Sequence, residues 1–262
     1  MTYKYLNMKR DGHLAIVRFN RPETANALSY SHLNEIEHCA LSFREDAQTR
    51  VVIFTGEGKH FSSGADITEM EATVDTPIVL HRRRLRMGER VLKAILSMDQ
   101  ITIAAWNGGA IGGGACLATA ADFRIGTDTS FMHYPEIELG LNLMWQSLPL
   151  TIRLVGPTRA KRLVIGAEKV FSDKLLSWGL LESVVPQDQL IDSCISFAQD
   201  YVNKSPVAAQ MIKRSINNIC GVLDQGLMHM DADQHLFVAK TSDQQVAKNM
   251  YLNEGDPDFT GN

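Results

Sequence analysis

Residues 106–114 constrain the fold of this chain more than any other stretch, because five of these nine residues are glycine. An apolar run, 101–105, precedes the glycines, and a run of small and apolar residues, 115–121, follows them. This order predicts a strand, a tight turn and a buried helix. Glycine permits the positive φ angles of such a turn and leaves backbone N–H groups accessible at the start of the helix. The turn is therefore suited to binding a phosphate or to stabilising a developing oxyanion.

Composition places the chain among ordinary globular proteins. Its 262 residues suffice for one large domain, and it is 45% hydrophobic and 21% charged. A net charge of −4 argues against electrostatic binding of nucleic acid. No apolar run approaches the roughly 20 residues of a membrane span, and residues 1–5 are typical of a strand rather than a secretory signal. We therefore expect a cytoplasmic protein with neither nucleic acid nor membrane as a partner.

The four cysteines are scattered along the chain without the paired spacing of a zinc site or a disulfide framework. They are Cys39, Cys116, Cys194 and Cys220. This pattern predicts free thiols in a reducing compartment and no metal site.

Hydrophobic patterning predicts an α/β fold. Asp11 and Gly12 separate two apolar segments, which is a strong hairpin signal. Later strands alternate with helical segments, and this alternation implies a mostly parallel sheet covered by helices. From residue 187 onward the pattern is almost wholly helical. We expect strands at 5–9, 13–19, 51–54, 101–105, 122–126, 130–134 and 181–185, and helices at 33–41 and 78–98.

A second glycine-containing turn, residues 61–67, follows the strand at 51–54. It delivers the backbone N–H of Ala65 just before a short helix. Asp66 and Glu69 have the spacing of a capping box at the start of that helix. The chain thus contains two such turns, and the carboxylate of Glu136 follows them at the end of an extended segment. This combination is stronger evidence for a functional site than either turn alone.

Three motifs in order, "FSSGAD", "NGGAIGGGACLATAADFRIG" and "YPEIELGL", resemble those of the crotonase superfamily, the enoyl-CoA hydratases and isomerases. The segments "RPETANALS", "GPTRAKRLVIGAE" and "WGLLESVVP" are also similar to that family, so the resemblance spans roughly residues 5–215. It implies a spiral of ββα units over residues 1–200. It also implies a helical region, 201–262, that drives assembly into a homotrimer or homohexamer, the whole chain being one functional domain.

The resemblance also implies an acyl-CoA thioester substrate, with coenzyme A as part of the substrate and no separate cofactor or metal. The N–H groups of Ala65 and Gly113 would form an oxyanion hole, and Glu136 would be the acid/base. Negative charge builds on the thioester oxygen when a proton moves beside it, and preorganised N–H groups stabilise that charge. The residues predicted to bind substrate are Ser63, Ile67, Ala25, Gly112, Cys116, Met144 and Trp145.

Hydratases of this family usually carry a second glutamate three residues after the oxyanion-hole glycine, and this chain has Cys116 there. A thiol, with a pKa of about 8.5, is poorly suited to positioning water at neutral pH. Some dienoyl isomerases and dehalogenases of the family place an aspartate where this chain has Met144. The remaining pattern, Glu136 alone, favours double-bond isomerisation slightly over hydration.

Other interpretations remain open at this point. His133 near the site keeps hydrolytic cleavage of a β-dicarbonyl C–C bond as an alternative. A non-catalytic acyl-CoA-binding or scaffold protein is another. The basic run at residues 81–86 is typical of a solvated helix face, with attraction of CoA phosphates as the second interpretation. Glu138, two residues after Glu136, would point away from the site if the segment is extended.

Overall fold

The computed structural model describes residues 3–66, 68–69, 76–253 and 258–262. Within these residues a six-stranded sheet has the order β1-β2-β3-β4-β6-β9, and a smaller sheet has the order β5-β7-β8. The strands are β1 (Leu6–Asp11), β2 (Leu14–Phe19), β3 (Val51–Gly56), β4 (Ile101–Trp106), β5 (Gly109–Ile111), β6 (Phe123–Thr127), β7 (Phe131–His133), β8 (Val170–Phe171) and β9 (Ser183–Val185).

The large sheet is mostly parallel, as the alternating pattern predicted. Strands β2, β3, β4, β6 and β9 pair in parallel, and only β1 runs antiparallel to its neighbour β2. The β1–β2 hairpin turns at Gly12, whose φ is +55°, a conformation that glycine adopts at little cost. Parallel pairing brings the carboxyl ends of β3 and β4 to the same edge of the sheet, where both glycine-rich turns begin.

Two short strands were not predicted. Strand β5 lies inside the glycine-rich stretch and pairs in parallel with β7. A Cβ on Gly109 would lie 2.6 Å from the Phe131 ring, so the absence of a side chain permits this close pairing. Strand β8 has two residues, too few for a periodic signal.

The helices cover both faces of the large sheet. They are α1 (Tyr30–Ser42), α2 (Ile78–Leu85), α3 (Met87–Leu96), α4 (Gly113–Ala120), α5 (Leu148–Val164), α6 (Ser172–Ser177), α7 (Leu190–Val202), α8 (Pro206–Gly221), α9 (Asp224–Met228), α10 (Asp231–Val238) and α11 (Ser242–Asn253). On one face Ile36 of α1 packs in a core with Leu92 of α3 and Leu117 of α4. On the other, Cys194 of α7 packs in a core with Ile53 and Ile103 of the sheet.

The single helix expected over residues 78–98 is wrong, because Arg86 breaks it into α2 and α3. Arg86 has φ −81° and ψ 2°, outside the helical region. The break lets the two segments pack on different neighbours. Arg90 of α3 pairs with Glu37 of α1 at 2.7 Å, whereas Arg82 of α2 pairs with Asp233 of α10.

The segment after residue 187 is helical, as predicted, and its helices pack against the rest of the chain. Lys213 of α8 lies 2.6 Å from Asp122 and is buried. Arg153 of α5 lies 2.7 Å from Asp224 of α9. In the part of the chain that the structure describes, none of the helices combines the length and apolar character needed to cross a bilayer.

Candidate active site

The two glycine-containing turns are in contact at the carboxyl edge of the large sheet. Gly64 has φ +88° and Gly112 has φ +49°, values that favour glycine. A Cβ on Gly64 would lie 2.6 Å from the carbonyl oxygen of Ile111 and 3.3 Å from the nitrogen of Gly113. The absence of side chains therefore allows the backbone before Ala65 to approach the first residue of α4.

Ala65 and Gly113 each present a backbone N–H at this junction. Among the hydrogen bonds of the described residues, neither N–H has an acceptor. Gly113 is buried at the first position of α4, where helical N–H groups lack intrahelical partners. Ala65 is exposed. The positive end of the helix dipole adds to the attraction of negative charge at Gly113.

Asp66 fixes the first turn, as the predicted cap. Its Oδ1 accepts the N–H and hydroxyl of Thr68, and its Oδ2 lies 3.0 Å from Arg21. Burial raises the pKa of Asp66, but the bonds from Thr68 and Arg21 outweigh burial and hold that pKa below its usual value. Glu69 does not complete a capping box. Its Oε2 instead accepts the N–H of Tyr30 at 2.7 Å, because the start of α1 offers N–H groups without helical partners.

Glu136 lies beside the second turn, but its segment is not extended. Residues Glu136–Leu139 form a 3₁₀ helix that ends at Gly140, whose φ is +65°. A Cβ on Gly112 would lie 2.9 Å from Oε1 of Glu136, so the carboxylate lies against the glycine that precedes Gly113. Glu138 is exposed and lies 3.4 Å from His133. The extended geometry from which its orientation was predicted is wrong, because this segment is a 3₁₀ helix.

Burial makes the Glu136 carboxylate suitable for proton transfer. Its Oε2 is buried and has no hydrogen-bond partner among the described residues. Desolvation raises the pKa of Glu136 to about 7, against a smaller lowering by its own backbone N–H. A carboxyl group that titrates near neutral pH can both accept and donate a proton under the same conditions.

Cys116 lies one turn into α4 and is buried. Burial raises the pKa of this thiol well above its usual value, the charge of Glu136 raises it further, and a hydrogen bond with Ser147 opposes both. The thiol therefore stays protonated at neutral pH, which favours the interpretation of Cys116 as a packing residue over that of a nucleophile.

Met144 and Trp145 line a narrow cleft next to these residues. The cleft has a volume of about 50 Å³, and Leu28 and Ala65 also line it. A Cβ on Gly113 would overlap the Trp145 ring, so the indole lies directly against the start of α4. The structure thus brings together most of the residues that the sequence pointed to.

Ser63 and Ala25 lie on the segments that lead to this cluster. The Ser63 N–H donates to the Ala25 carbonyl at 2.9 Å, and the Ser63 hydroxyl donates to the Thr24 carbonyl at 3.1 Å. Both residues are half-buried, and Ala25 has φ +52°. Ile67, the remaining predicted substrate-binding residue, lies outside the described residues.

The structure adds residues that the sequence did not single out. Asp231 of α10 is buried, and its Oδ2 accepts the N–H of Gln146 at 2.6 Å. Glu89 of α3 is also buried and accepts the Gln146 side chain at 3.1 Å. Asp231 and Gln146 are 85 positions apart, so no local pattern relates them.

His60, which precedes the Ala65 turn, and three arginines of the basic run have structural partners. His60 Nδ1 accepts the N–H of Gly109 at 3.1 Å. In the basic run, Arg82 pairs with Asp233, Arg86 pairs with Glu89, and Arg84 lies 5.7 Å from the centre of the Tyr30 ring. Within residues 3–66, 68–69, 76–253 and 258–262, no three or more His, Cys, Asp or Glu side chains are grouped to hold a metal ion.

Comparison with known proteins identifies the family to which this chain belongs. The chain matches the family model for enoyl-CoA hydratase/isomerase over residues 9–262. It is 32% identical over 211 residues to a short-chain-enoyl-CoA hydratase of Clostridium acetobutylicum, with 80% of each chain covered. It is 30% identical over 260 residues to a crotonyl-CoA hydratase of Syntrophomonas wolfei, with 99% of each covered.

A solved structure supports the same assignment. An enoyl-CoA hydratase from Bacillus anthracis superposes with a TM-score of 0.78 and 28% identity, covering 99% of this chain and 100% of the other. The fold is therefore that of the crotonase superfamily, with its helical C-terminal region. The chain belongs to the enoyl-CoA hydratase/isomerase family, and it is an enzyme of the hydratase/isomerase type.

Proposed function

We propose that this enzyme moves the double bond of an enoyl-CoA thioester through an enolate, with Glu136 as the single acid/base. The observation that carries the proposal is the Glu136 carboxylate, which lies against Gly112 and has a pKa raised to about 7. The N–H groups of Ala65 and Gly113 lie at the ends of two adjacent turns. They are the donors that the thioester oxygen would meet.

The reaction needs one base and one oxyanion site. Ionised Glu136 removes a proton from one carbon of the acyl group, and the electron pair moves into the thioester carbonyl to give an enolate. The two N–H groups stabilise the enolate oxygen, each contributing on the order of 3 kcal/mol. Protonated Glu136 then returns the proton to a different carbon, so the double bond shifts and the enzyme is unchanged. Coenzyme A stays attached, and the proposal requires neither metal nor a separate cofactor.

Hydration is the second candidate, and the names of two relatives favour it, since both are called hydratases. Addition of water is helped by a second carboxylate that positions the water molecule. Cys116 occupies that place here and stays protonated in a buried site. This difference is why we rank isomerisation slightly ahead. Cleavage of a β-dicarbonyl C–C bond, for which His133 was the candidate residue, ranks lower. The Nε2 of His133 lies 3.4 Å from the Glu138 carboxylate, which occupies this nitrogen.

The test compares both reactions on one purified protein. A 3-enoyl-CoA should be converted to its 2-enoyl isomer faster than a 2-enoyl-CoA of equal length is hydrated, with both followed by chromatography of the CoA esters. Hydration at a higher rate than isomerisation would contradict the preferred reaction while preserving the enolate chemistry. No turnover of either substrate would contradict the proposal as a whole.

We further propose a cytoplasmic homotrimer or homohexamer, in which the core at residues 1–200 and the helical region at 201–262 act as one functional domain. The contact between Asp231 and Gln146 supports a single functional unit. The four free cysteines fit a reducing compartment. Apolar side chains exposed along the C-terminal helices support an interface, namely Val207, Met211, Ile212, Ile216, Ile219, Val222, Leu223, Leu227 and Phe237.

A further inference from the structure

Trp145 and Gln146 adopt an unusual backbone conformation beside the candidate oxyanion site. Their φ angles are +68° and +56°, in the left-handed region that residues other than glycine seldom occupy. Such conformations cost free energy and persist where the surroundings hold them. Two consecutive residues in the left-handed conformation therefore require specific contacts that stabilise them.

Two buried carboxylates from distant elements hold this turn. Asp231 accepts the Gln146 N–H at 2.6 Å, and Glu89 accepts the Gln146 side-chain amide at 3.1 Å. Glu89 is in turn paired with Arg86 at 2.9 Å and with Lys93 at 2.6 Å. The backbone carbonyl of Asp231 also accepts a bond from Asn142 at 3.1 Å. The turn is thus tied to both α3 and α10.

This turn places the Trp145 indole between Gly88 and Gly113. A Cβ on Gly88 of α3 or on Gly113 of α4 would overlap the ring, so a side chain at either position would displace it. Trp145 is 9% exposed. The ring therefore fills the space between these two helices at the residue that would bind the thioester oxygen.

The space left for an acyl chain is small. The cleft that Trp145 lines with Met144 and Ala65 has a volume of about 50 Å³, whereas pockets for drug-sized ligands are typically about 300–1,000 Å³. A long acyl chain leaving the oxyanion site towards Gly88 would meet the indole. A short one would end before it.

We propose that Trp145 is the residue that restricts this enzyme to short-chain acyl-CoA substrates, and that Asp231 positions it. The inference rests on the proposed function only in placing the thioester oxygen at Gly113. It assigns to the C-terminal helical region a part in substrate selection, through the hydrogen bond from the Gln146 N–H to Asp231.

The test replaces Trp145 and follows the dependence on chain length. Trp145→Ala should raise kcat/KM for a ten-carbon enoyl-CoA relative to a four-carbon one by about tenfold or more, since one methylene in an apolar pocket changes selectivity about 10–200-fold. Trp178→Ala is the matched control, because Trp178 is also 9% exposed but packs on Arg159 and Arg162. It should leave the ratio unchanged.

Binding separates this inference from the proposed reaction. Calorimetry with butyryl-CoA and decanoyl-CoA requires no turnover, and Trp145→Ala should bind decanoyl-CoA more tightly than the wild type does. Equal chain-length ratios for the wild type and Trp145→Ala, in kinetics or in binding, would overturn the inference. Trp145→Phe provides the same comparison if the alanine variant does not fold. If the wild-type enzyme binds butyryl-CoA selectively but turns over no enoyl-CoA, only the proposed function is contradicted. If it binds neither butyryl-CoA nor decanoyl-CoA, both the proposed function and the inference about Trp145 are contradicted.

Discussion

At the scale of single residues, the acid/base role proposed for Glu136 depends on the burial of its Oε2. Its Oε2 has no hydrogen-bond partner among the described residues, so its charged form is stabilised less than that of an exposed glutamate. Gly112 provides the space for this arrangement, because a Cβ there would lie 2.9 Å from Oε1. The glycine-rich turn that we propose to bind the thioester oxygen therefore also makes room for the carboxylate that we propose as the base.

The first prediction is a pH dependence that belongs to Glu136. The base must be ionised to take a proton, and desolvation raises its pKa to about 7. We therefore expect kcat/KM for isomerisation to rise with pH through about 7 and then level off. Initial rates from pH 5 to 9 measure this. A profile that is nearly flat from pH 5 to 9, as a base with the ordinary glutamate pKa of about 4.3 would give, would contradict the assignment.

Removal of the carboxylate gives the second prediction. Glu136→Gln should reduce turnover by roughly a hundredfold or more, the usual scale for loss of a positioned general base, and should abolish the rise near pH 7. Binding of a saturated acyl-CoA should survive, because the donors at Ala65 and Gly113 are backbone groups. Glu138→Gln is the control, since Glu138 is exposed and lies against His133. Near-normal turnover in Glu136→Gln would refute the role of the base.

Cys116 provides the third prediction. Cys116→Ala should cost far less turnover than Glu136→Gln, because the buried thiol stays protonated and is assigned to packing. Cys116→Glu places a carboxylate where hydratases of the family have one and should raise water addition to a 2-enoyl-CoA. Cys116→Gln, of similar size but uncharged, is the control for the added bulk. If Cys116→Ala is inactive while Glu136→Gln is active, a thiol-based mechanism must replace the one proposed.

At the scale of elements, turn residues and apolar runs predicted those helices, strands and turns whose conformation depends on residues close together in the sequence. The hairpin at Gly12, the parallel strands before each glycine-rich turn and the buried helix α4 follow from turn residues and runs of apolar residues. The break at Arg86 could not be predicted in this way. It depends on which neighbours α2 and α3 pack against, and a helical pattern does not carry that information.

The candidate site likewise contains some residues that short motifs predict and others that depend on contacts between distant parts of the chain. Ala65, Gly113 and Glu136 follow short motifs, and the structure brings their segments together. The role proposed for Asp231 depends on a bond between residues 85 positions apart, and the left-handed conformation of Trp145 depends on that packing. A sequence pattern contains no local signal for either feature.

The fourth prediction tests whether α10 controls the Trp145 turn. Asp231→Ala removes the acceptor of the Gln146 N–H, and the ratio of kcat/KM for long and short enoyl-CoA should shift in the same direction as in Trp145→Ala. Asp231→Asn keeps an acceptor oxygen and should restore most of the wild-type ratio. Asp233→Ala, which removes the ion pair of the same helix with Arg82, should leave the ratio unchanged. A loss of stability in Asp231→Ala without a change in the ratio would indicate a structural role only.

At the scale of the whole molecule, the C-terminal helices combine two kinds of surface. One packs on the chain itself, where Lys213 is buried against Asp122. The other exposes large apolar side chains, among which Ile219 is 77% exposed. Contiguous exposed apolar surface is typical of an interface between proteins. We therefore propose that the C-terminal helices, which hold the Trp145 turn through Asp231, also form the surface for assembly.

The last prediction is that this surface joins copies of the chain into a trimer or hexamer. Light scattering of the purified protein at micromolar concentration should give three or six times the 29.1 kDa of one chain. Ile219→Asp places a charge on an apolar side chain that is 77% exposed and should reduce the assembled mass, because burying an unpaired charge is costly. Arg214→Asp is the control on the same helix, since Arg214 pairs with Asp99 at an exposed site. A wild-type monomer would refute the assembly, whereas an intact oligomer of Ile219→Asp would place its interface on another surface.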